Sequence, residues 1–516
     1  MKKAKKLLGL LTAVSLLIPT LCYADNPVVQ TNYTADPAPM VHGDTLYLYT
    51  SHDEDVTEND FYTMKNWKCY STTDMQNWTD HGTILGYTDF SWAKGDAWAW
   101  QVVERDGKFY AYVPLTQKNG AYAIGVAVSD SPTGPFVDPL GKPLATKSGS
   151  QDIDPTCFID DDGQAYLYWG NGNLYMVKLN KDMISYSGSV QTLTKPDGFI
   201  EGPWVYKLNN MYYLVYAGWN NGSENLQYAT SNSPTGPWTA RGAIMGGRNS
   251  FTNHPGVARF KGNDYLFYHT GDLPGGGSYK RSVCVEQFKY SSDGKIPNIP
   301  MTKNGPTQIK YLNPFVKTEA ETFAWGQGVE TESCGEGGMA VSFIENGDYL
   351  KINGVDFGTG ATSFQARVSS ANSGGNIEIR LDSPTGTLVG TCAVKGTGAW
   401  QTYADVTCNV TGATGVHDLY LKFTGGSGYL FNFNNWKFNG TPTQPTIKYG
   451  DVDGSGSIDA IDFAQIKQYL LGSAIDFTAD QIKAADVDGS GTVDAIDFAL
   501  VKQYLLRMID KFPAEV

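Results

Sequence analysis

Three acidic residues in the N-terminal half of the sequence stand one or two positions ahead of a proline: Asp36-Pro37, Asp154-Pro155 and Glu201-Gly202-Pro203. Each lies eleven or twelve residues before a tyrosine of an aromatic hairpin (Tyr47, Tyr166 and Tyr213), and the same count back from Tyr110 and Tyr265 reaches Trp98 and His254. A turn explains one aspartate ahead of a strand. Three acids, a tryptophan and a histidine at five equivalent positions need a shared reason. Carboxyl groups around a pocket with an aromatic wall are the equipment for cleaving a glycosidic bond: one protonates the leaving oxygen, another activates water or attacks. A third acid keeps the donor protonated near neutral pH by like-charge repulsion.

The elements that must position these groups are five copies of one hairpin, "HGDTLYLYT", "RDGKFYAYV", "DDGQAYLYW", "LNNMYYLVY" and "FKGNDYLFYHT", whose tyrosines are spaced by 63, 56, 47 and 52 residues. Those are spacings of four-stranded sheets arranged radially, and five copies predict a five-bladed β-propeller over residues 27–310. Outer elements recur as "SDSPTGPF" at Ser129, "SNSPTGPW" at Ser231 and "STTDMQNW" at Ser71. Equivalent positions in the blades are equidistant from the central axis, so the five residues converge on one opening.

At 516 residues the chain is too long for one core. Its first 24 residues read as a signal peptide: four lysines, an apolar run from Leu7 to Leu21, and Cys22-Tyr23-Ala24 ahead of Asp25. That run is too short to span a bilayer. An exported, soluble protein is the expectation. The formal charge is −14, and losing the leader's four lysines makes it −18, which excludes nucleic acid and anionic membrane as partners. Cys69, Cys157, Cys284, Cys334, Cys392 and Cys408 show no metal-ligand spacing, and the compartment permits disulfides without compelling one. The 31 tyrosines, 12 tryptophans and 58 glycines, with few helical patterns before residue 447, describe an all-β composition.

Residues 316–440 carry short alternating strands, "GDYLKI", "SFQARV" and "NIEIRL", broken by Gly/Ser turns, and are a β-sandwich candidate. After a stiff linker, "TPTQPT" at 441–446, the segment 447–516 holds a duplication with a period of 35 residues. Each copy places oxygen side chains at positions 1, 3, 5, 9 and 12 of a loop: Asp451, Asp453, Ser455, Asp459 and Asp462, then Asp486, Asp488, Ser490, Asp494 and Asp497. Gly456 and Gly491 allow the sharp turn around a calcium ion, and Ser457 and Thr492 would add backbone carbonyls. An apolar helical stripe, Ile461, Phe463, Ile466, Tyr469 and Leu470, follows the first loop.

Three resemblances carry these readings further. The tandem loops, with aspartate where an EF-hand has glutamate and without an entering helix, resemble a type I dockerin over Gly450 to about Leu506. That resemblance implies docking onto a cohesin of a scaffoldin in a cellulosome, with Ala460-Ile461, Ala495-Ile496, Lys467-Gln468 and Lys502-Gln503 at the recognition positions. The stretches "EAETFAWGQGVETE", "FIENGDYLKINGVDFG", "GAWQTY" and "GYLFNFNNWKF" resemble a family 6 carbohydrate-binding module, a jelly roll. The likeness implies an aromatic clamp of Phe343 and Trp400 with Tyr403 as a rival, Asn432 as polar contact, and Glu319, Glu321 and Asn434 around a structural calcium.

The acids of the first segment, with "DPAPMVHGDTLYLYTSHDE" and "LPGGGSYKRSV", resemble glycoside hydrolase family 43, in its arabinoxylan arabinofuranohydrolase and β-xylosidase branch. The implied chemistry is inversion without a cofactor, with Asp36 as general base, Glu201 as general acid and Asp154 tuning and orienting that acid. Trp98, Trp100, His254 and Arg281 then face the substrate. His254 is also a candidate to hold an ion or water on the propeller axis, or a structural histidine, and Arg281 is equally a structural ion-pair partner. The expected whole is a secreted, mainly β, multidomain protein of propeller, jelly roll and small α-helical calcium-binding dockerin, acting on arabinoxylan or xylan. A non-catalytic sugar-binding propeller is the rival, disfavoured because a lectin needs no proton donor.

Overall fold

The structure, a computed structural model, describes residues 26–220, 222–441, 448–472 and 477–515. The leader at 1–24 and all but the first residue of the linker at 441–446 lie outside the described residues.

Between Tyr33 and Phe288 the chain forms five antiparallel sheets in succession. The first runs Tyr33–His42, Thr45–Asp53, Asn66–Thr72, Trp78–Gly86. In the second, Lys108–Gln117 pairs with Ala93–Gly95, Gln101–Arg105 and Tyr122–Ser129. The third comprises Thr156–Ile159, Ala165–Trp169, Leu174–Leu179 and Tyr186–Leu193. Phe199–Leu208, Met211–Asn220, Ser223–Ser231 and Thr239–Met245 make the fourth, and Gly256–Phe260, Asn263–Thr270 and Ser282–Phe288 the fifth. The five tyrosines of the repeated hairpin lie on the strand that follows each sheet's tight turn.

Local chemistry sets these turns. Asn209 and Asn210, at φ 49° and 64°, close the hairpin whose flanking pair is Leu208 and Met211. Both central residues of such a two-residue loop need positive φ, which asparagine and glycine tolerate. Asp106-Gly107 does the same between Arg105 and Lys108. The N-terminal segment joins the last sheet to the first: Val28 N–H donates to Val283 O and Thr34 N–H to Arg281 O, each at 2.9 Å.

Residues 318–441 form two further sheets. Thr318–Glu319, Glu330–Ser333, Met339–Ser342, Gly360–Ser369, Ala404–Asn409 and Asn432–Thr441 make one, and Trp325–Gln327, Tyr349–Asp356, Gly374–Leu381, Thr387–Lys395 and Val416–Gly425 the other. A single apolar core draws Phe364, Ala366, Phe433 and Trp436 from one sheet and Leu350, Ile352, Ile377 and Leu421 from the other. The two segments, read from sequence as 27–310 and 316–440, belong to one compact unit. Thr322–Phe323 adds to the edge of the first N-terminal sheet, opposite Thr79 and Trp78. Buried Asn77 exchanges hydrogen bonds with the backbone of Asn353, at 2.8 Å and 2.9 Å, and Thr331 Oγ1 donates to Asp80 Oδ2 at 2.7 Å.

The C-terminal unit has helices Ala460–Leu470, Ala479–Ala485 and Ala495–Leu505. Phe463 stacks on Phe498, with centroids 4.2 Å apart, over a core that includes Val452, Ile466, Val487, Val501 and Phe512. The stripe read from sequence is only partly inward. Ile466 is buried, whereas Ile461 and Leu470 are exposed, because the small core is filled from both repeats. Ala479–Ala485 leads directly into the second loop, so that copy does have an entering helix. The six cysteines are free and five are buried.

Candidate active site

All five equivalent positions, Asp36, Trp98, Asp154, Glu201 and His254, line one cavity of about 360 Å³. Backbone irregularity aims the acids into it. Asp36 and Asp154 sit in the left-handed region at φ 52° and 58°, each ahead of a proline that disfavours the right-handed helical region for its predecessor. Register shifts interrupt the pairing between Ala35 and Ala38 and on either side of Glu201, the bulges that redirect a side chain out of the pleat. Gly202, at φ 62°, is needed where it stands: a Cβ there would lie 3.0 Å from His254 Nδ1. Nearby, Asp152 is the satisfied turn residue that Asp154 is not. Its Oδ2 accepts the N–H groups of Lys147, Ser148 and Gly149, and its Oδ1 accepts Trp169 Nε1.

The lining acids differ in their charged neighbours. Arg281 holds Asp53 with Nε and Nη2, both at 2.9 Å, and reaches Asp36 Oδ1 with Nη1 at 3.1 Å, under the ring of Tyr62. Burial acts to raise the Asp36 carboxyl, but the Arg281 guanidinium holds it below the usual carboxylate range. The N–H of Asp36 donates to His269 Nδ1 at 3.2 Å, so that nitrogen is the acceptor of a neutral ring whose pKa burial pushes down to about 3. The other two acids are displaced upward. Burial raises Glu201, opposed by hydrogen bonds from Glu224 and Asn171. Asp154 is raised by burial and then by Glu201 and Asp36, while its Oδ2 accepts Gly202 N–H at 3.1 Å. The cavity therefore combines a carboxyl group held low with two displaced upward.

Several lining residues were not foreseen. Glu224, Asn171, His269, Phe61, Tyr62 and Trp219 lack a counterpart at the repeated positions, so the hairpin count passes over them. Trp100 is a correction: it stacks on Trp67 at 5.3 Å and meets Tyr49 edge-on in the core, away from the cavity. Residues 96–100 are irregular rather than strand, so Trp98 and Trp100 do not share a face. Arg281 is both a cavity wall and an ion-pair partner.

In the sandwich, Phe343 is 39% exposed and meets Tyr429, itself 47% exposed, edge-on at 5.4 Å. Trp400 is half-buried. Asn432 is buried, its amide donating to Glu332 Oε1 at 2.6 Å and Trp400 O at 3.1 Å, so its donor is already engaged. Tyr403 is buried beside Cys334 and cannot stack on a sugar. Glu319 pairs with Lys317, and Asn434 donates to Glu336. Glu321 is buried with Oε2 unpartnered, and burial raises its pKa to about 9, an environment that a cation would relieve.

The C-terminal loops bring Asp451, Asp453 and Asp462, and likewise Asp486, Asp488 and Asp497, within 4.8 Å of one another through their carboxylate oxygens. Among the described residues these are the groups of three or more such ligands, and none gathers around His254. Asp451 Oδ1 and Asp486 Oδ1 are buried without a partner, which fits a calcium ion. Ser455 and Ser490 donate to the carbonyls of Ser457 and Thr492. Asp459 and Asp494 are helix N-caps, accepting from Ile461 N and Ile496 N at 2.7 Å, and stand outside the carboxylate triads.

Acids shifted in opposite directions around a sugar-sized cavity, on a scaffold of successive β-sheets, define a glycoside hydrolase. The model for glycosyl hydrolases family 43 matches residues 24–296, that for carbohydrate binding module (family 6) residues 319–440, and that for the dockerin type I domain residues 449–506. The chain is 36% identical over 478 residues to the arabinoxylan arabinofuranohydrolase of Bacillus subtilis (strain 168), across 80% of this chain and 92% of the relative. It is 34% identical over 319 residues to a xylosidase/arabinosidase of Bacteroides ovatus, across 53% and 96%. The crystal structure of a family 43 arabinoxylan arabinofuranohydrolase from Bacillus subtilis with cellotetraose matches with a TM-score of 0.72 at 35% identity, over 81% of this chain and 97% of that one. The chain belongs to glycosyl hydrolase family 43, joined to a family 6 carbohydrate-binding module and a type I dockerin.

Proposed function

We propose that this chain is a secreted, cellulosome-borne hydrolase that removes α-L-arabinofuranosyl side chains from arabinoxylan with inversion. The observation that carries the chemistry is the division of charge: Arg281 keeps Asp36 ionised, while Glu201, without an ion-pair partner among the described residues, is raised. Asp36 is then the base that takes a proton from water, Glu201 the acid that protonates the departing oxygen, and Asp154 the residue that orients the acid through the Gly202 N–H. The five sheets are read as blades of a five-bladed propeller and the two of the module as a jelly roll.

The substrate reading rests on the arabinoxylan-active relative, most of whose length is covered. The cavity suits one sugar, and Phe61 and Trp219, 49% and 55% exposed at its lining, offer faces for the main chain. The xylosidase/arabinosidase relative supports β-xylosidase activity as the second reading. Calcium would be held by the two carboxylate triads and, in the module, by Glu321 with Glu319 and Asn434, there ordering loops rather than taking part in the chemistry. The dockerin supports a cohesin partner and an extracellular setting. Chromatography of the sugars released from wheat arabinoxylan tests the reading: arabinose is expected, and xylose alone would replace it with the xylosidase reading.

A further inference from the structure

Glu224 is the second residue of the third strand of the fourth sheet, Ser223–Ser231, yet is only 3% exposed, and it lines the same cavity as Glu201. Two hydrogen bonds fix it. Its N–H donates to Phe251 O at 2.8 Å, its Oε2 accepts the N–H of Asn253 at 2.9 Å, and its carboxyl shares the cavity lining with that of Glu201. Two neighbouring carboxyl groups lining one cavity repel when both are ionised, which favours a proton on one of them. The other titratable and charged groups lining the cavity are Asp154, Asp36 and Arg281, with the rings of His254 and His269. Arg281 is spent on Asp53 and Asp36. Burial, and then the charge of Glu201, push Glu224 up to about 10, so Glu224 keeps its proton when Glu201 gives up its own.

We propose that Glu224 is a positioning residue for the proton donor: as a neutral acid it donates its O–H to Glu201 and stabilises the carboxylate that Glu201 becomes. This rests on Glu201 as general acid. In the step, the Glu201 O–H bond breaks, its proton bonds to the glycosidic oxygen as the bond from that oxygen to the anomeric carbon breaks, and the attacking water loses a proton to Asp36. Glu224 ends the step with the proton it began with. Its part differs from that of Asp154, which touches the backbone after Glu201. The amide of Asn171 adds a second donor to Glu201 Oε2.

Glu224→Leu and Glu224→Gln separate this role from simple packing. Only protonated Glu201 is active, so the basic limb of kcat/KM follows its pKa. Losing a donor that favours the carboxylate raises that pKa. In Glu224→Leu the basic limb should move up by about one pH unit, the scale of a hydrogen bond to a charged group. Turnover should fall about tenfold more on arabinoxylan than on para-nitrophenyl arabinofuranoside, whose leaving group needs little protonation. Glutamine keeps both a neutral donor and the acceptor for Asn253, so Glu224→Gln should restore the limb position that leucine loses. A limb that stays put in Glu224→Leu, or moves down in Glu224→Gln, overturns the proposal. If the leucine variant does not fold, the infrared difference between wild type and Glu224→Gln at pH 7 decides: a protonated-carboxyl band lost in the variant supports it, and loss of a carboxylate band rejects it. Glu201→Gln, assayed alongside, isolates the parent reading, because unimpaired activity there removes Glu201 as the acid whatever Glu224 does.

Discussion

Arg281 joins Asp36 to Asp53: one guanidinium reaches Asp36 Oδ1 at 3.1 Å and grips Asp53 with two further donors at 2.9 Å. Asp53 is fully buried, and its pairing fixes the plane in which Arg281 meets the base. Arg281→Met should therefore do two things. Leaving Asp53 as an unpaired buried charge costs about 3–5 kcal/mol, read as a lower midpoint in urea. Asp36 loses the neighbour that most depresses its pKa, so the acid limb of kcat/KM should move to higher pH. An unmoved acid limb would show that Arg281 does not set the protonation of Asp36.

Asp36→Asn and Glu201→Gln should each lower turnover on arabinoxylan by about two to four orders of magnitude, the range for removing a general base or acid. Both residues lie on strands whose bulges persist without the charge, so circular dichroism should be unchanged. Near-normal turnover in either variant would remove that residue from its role.

Asp154→Asn tests a different dependence. Asp154 touches Gly202 N–H rather than the leaving group, so its loss acts through the aim and protonation of Glu201. The drop should be larger on arabinoxylan than on an aryl arabinofuranoside. Equal losses on both would give Asp154 another task.

The module is expected to unfold with the catalytic segment. Thr322–Phe323 extends the first sheet, and Asn77 satisfies both backbone groups of Asn353 from across the boundary. Calorimetry of residues 26–441 should give one transition, and Asn77→Ala should cost about 1–3 kcal/mol by removing the acceptor of the buried Asn353 N–H, whose carbonyl keeps Gln308 Nε2. Two separate transitions would show that the shared sheet couples the segments weakly.

Much of this site was legible in the sequence because the hairpins repeat: counting back from five tyrosines reached five residues that do meet in one cavity. What repetition does not encode was missed. Glu224 comes from a third strand, Asn171 from a turn after Trp169, and His269 from the far end of a second strand, each without a counterpart in the other sheets. Trp100 was misplaced because irregular backbone at 96–100 breaks the alternation that would have paired it with Trp98. The dockerin triads were plain because ligand spacing within a loop is local, whereas the capping by Asp459 and Asp494 depends on where each helix begins.

Calcium should order residues 448–515, since each triad repels itself until a cation neutralises it and the short helices are marginal alone. Chelation should abolish helical dichroism and cohesin binding in this unit. Ile461 and Ile496 are 50% and 57% exposed at matching positions of the two helices, so changing one Ala-Ile pair should leave binding largely intact and changing both should destroy it. Complete loss from one pair would reject docking by either face.

The most direct measurement is time-resolved proton NMR of arabinoxylan hydrolysis by the intact chain, which reads the sugar released and its first anomeric form together. The expected signal is free arabinose, appearing first in the configuration opposite to its linkage and then mutarotating, as an Asp36-activated water attacking from the face away from Glu201 requires. Arabinose appearing first with its original configuration, or release of xylose alone, would contradict it.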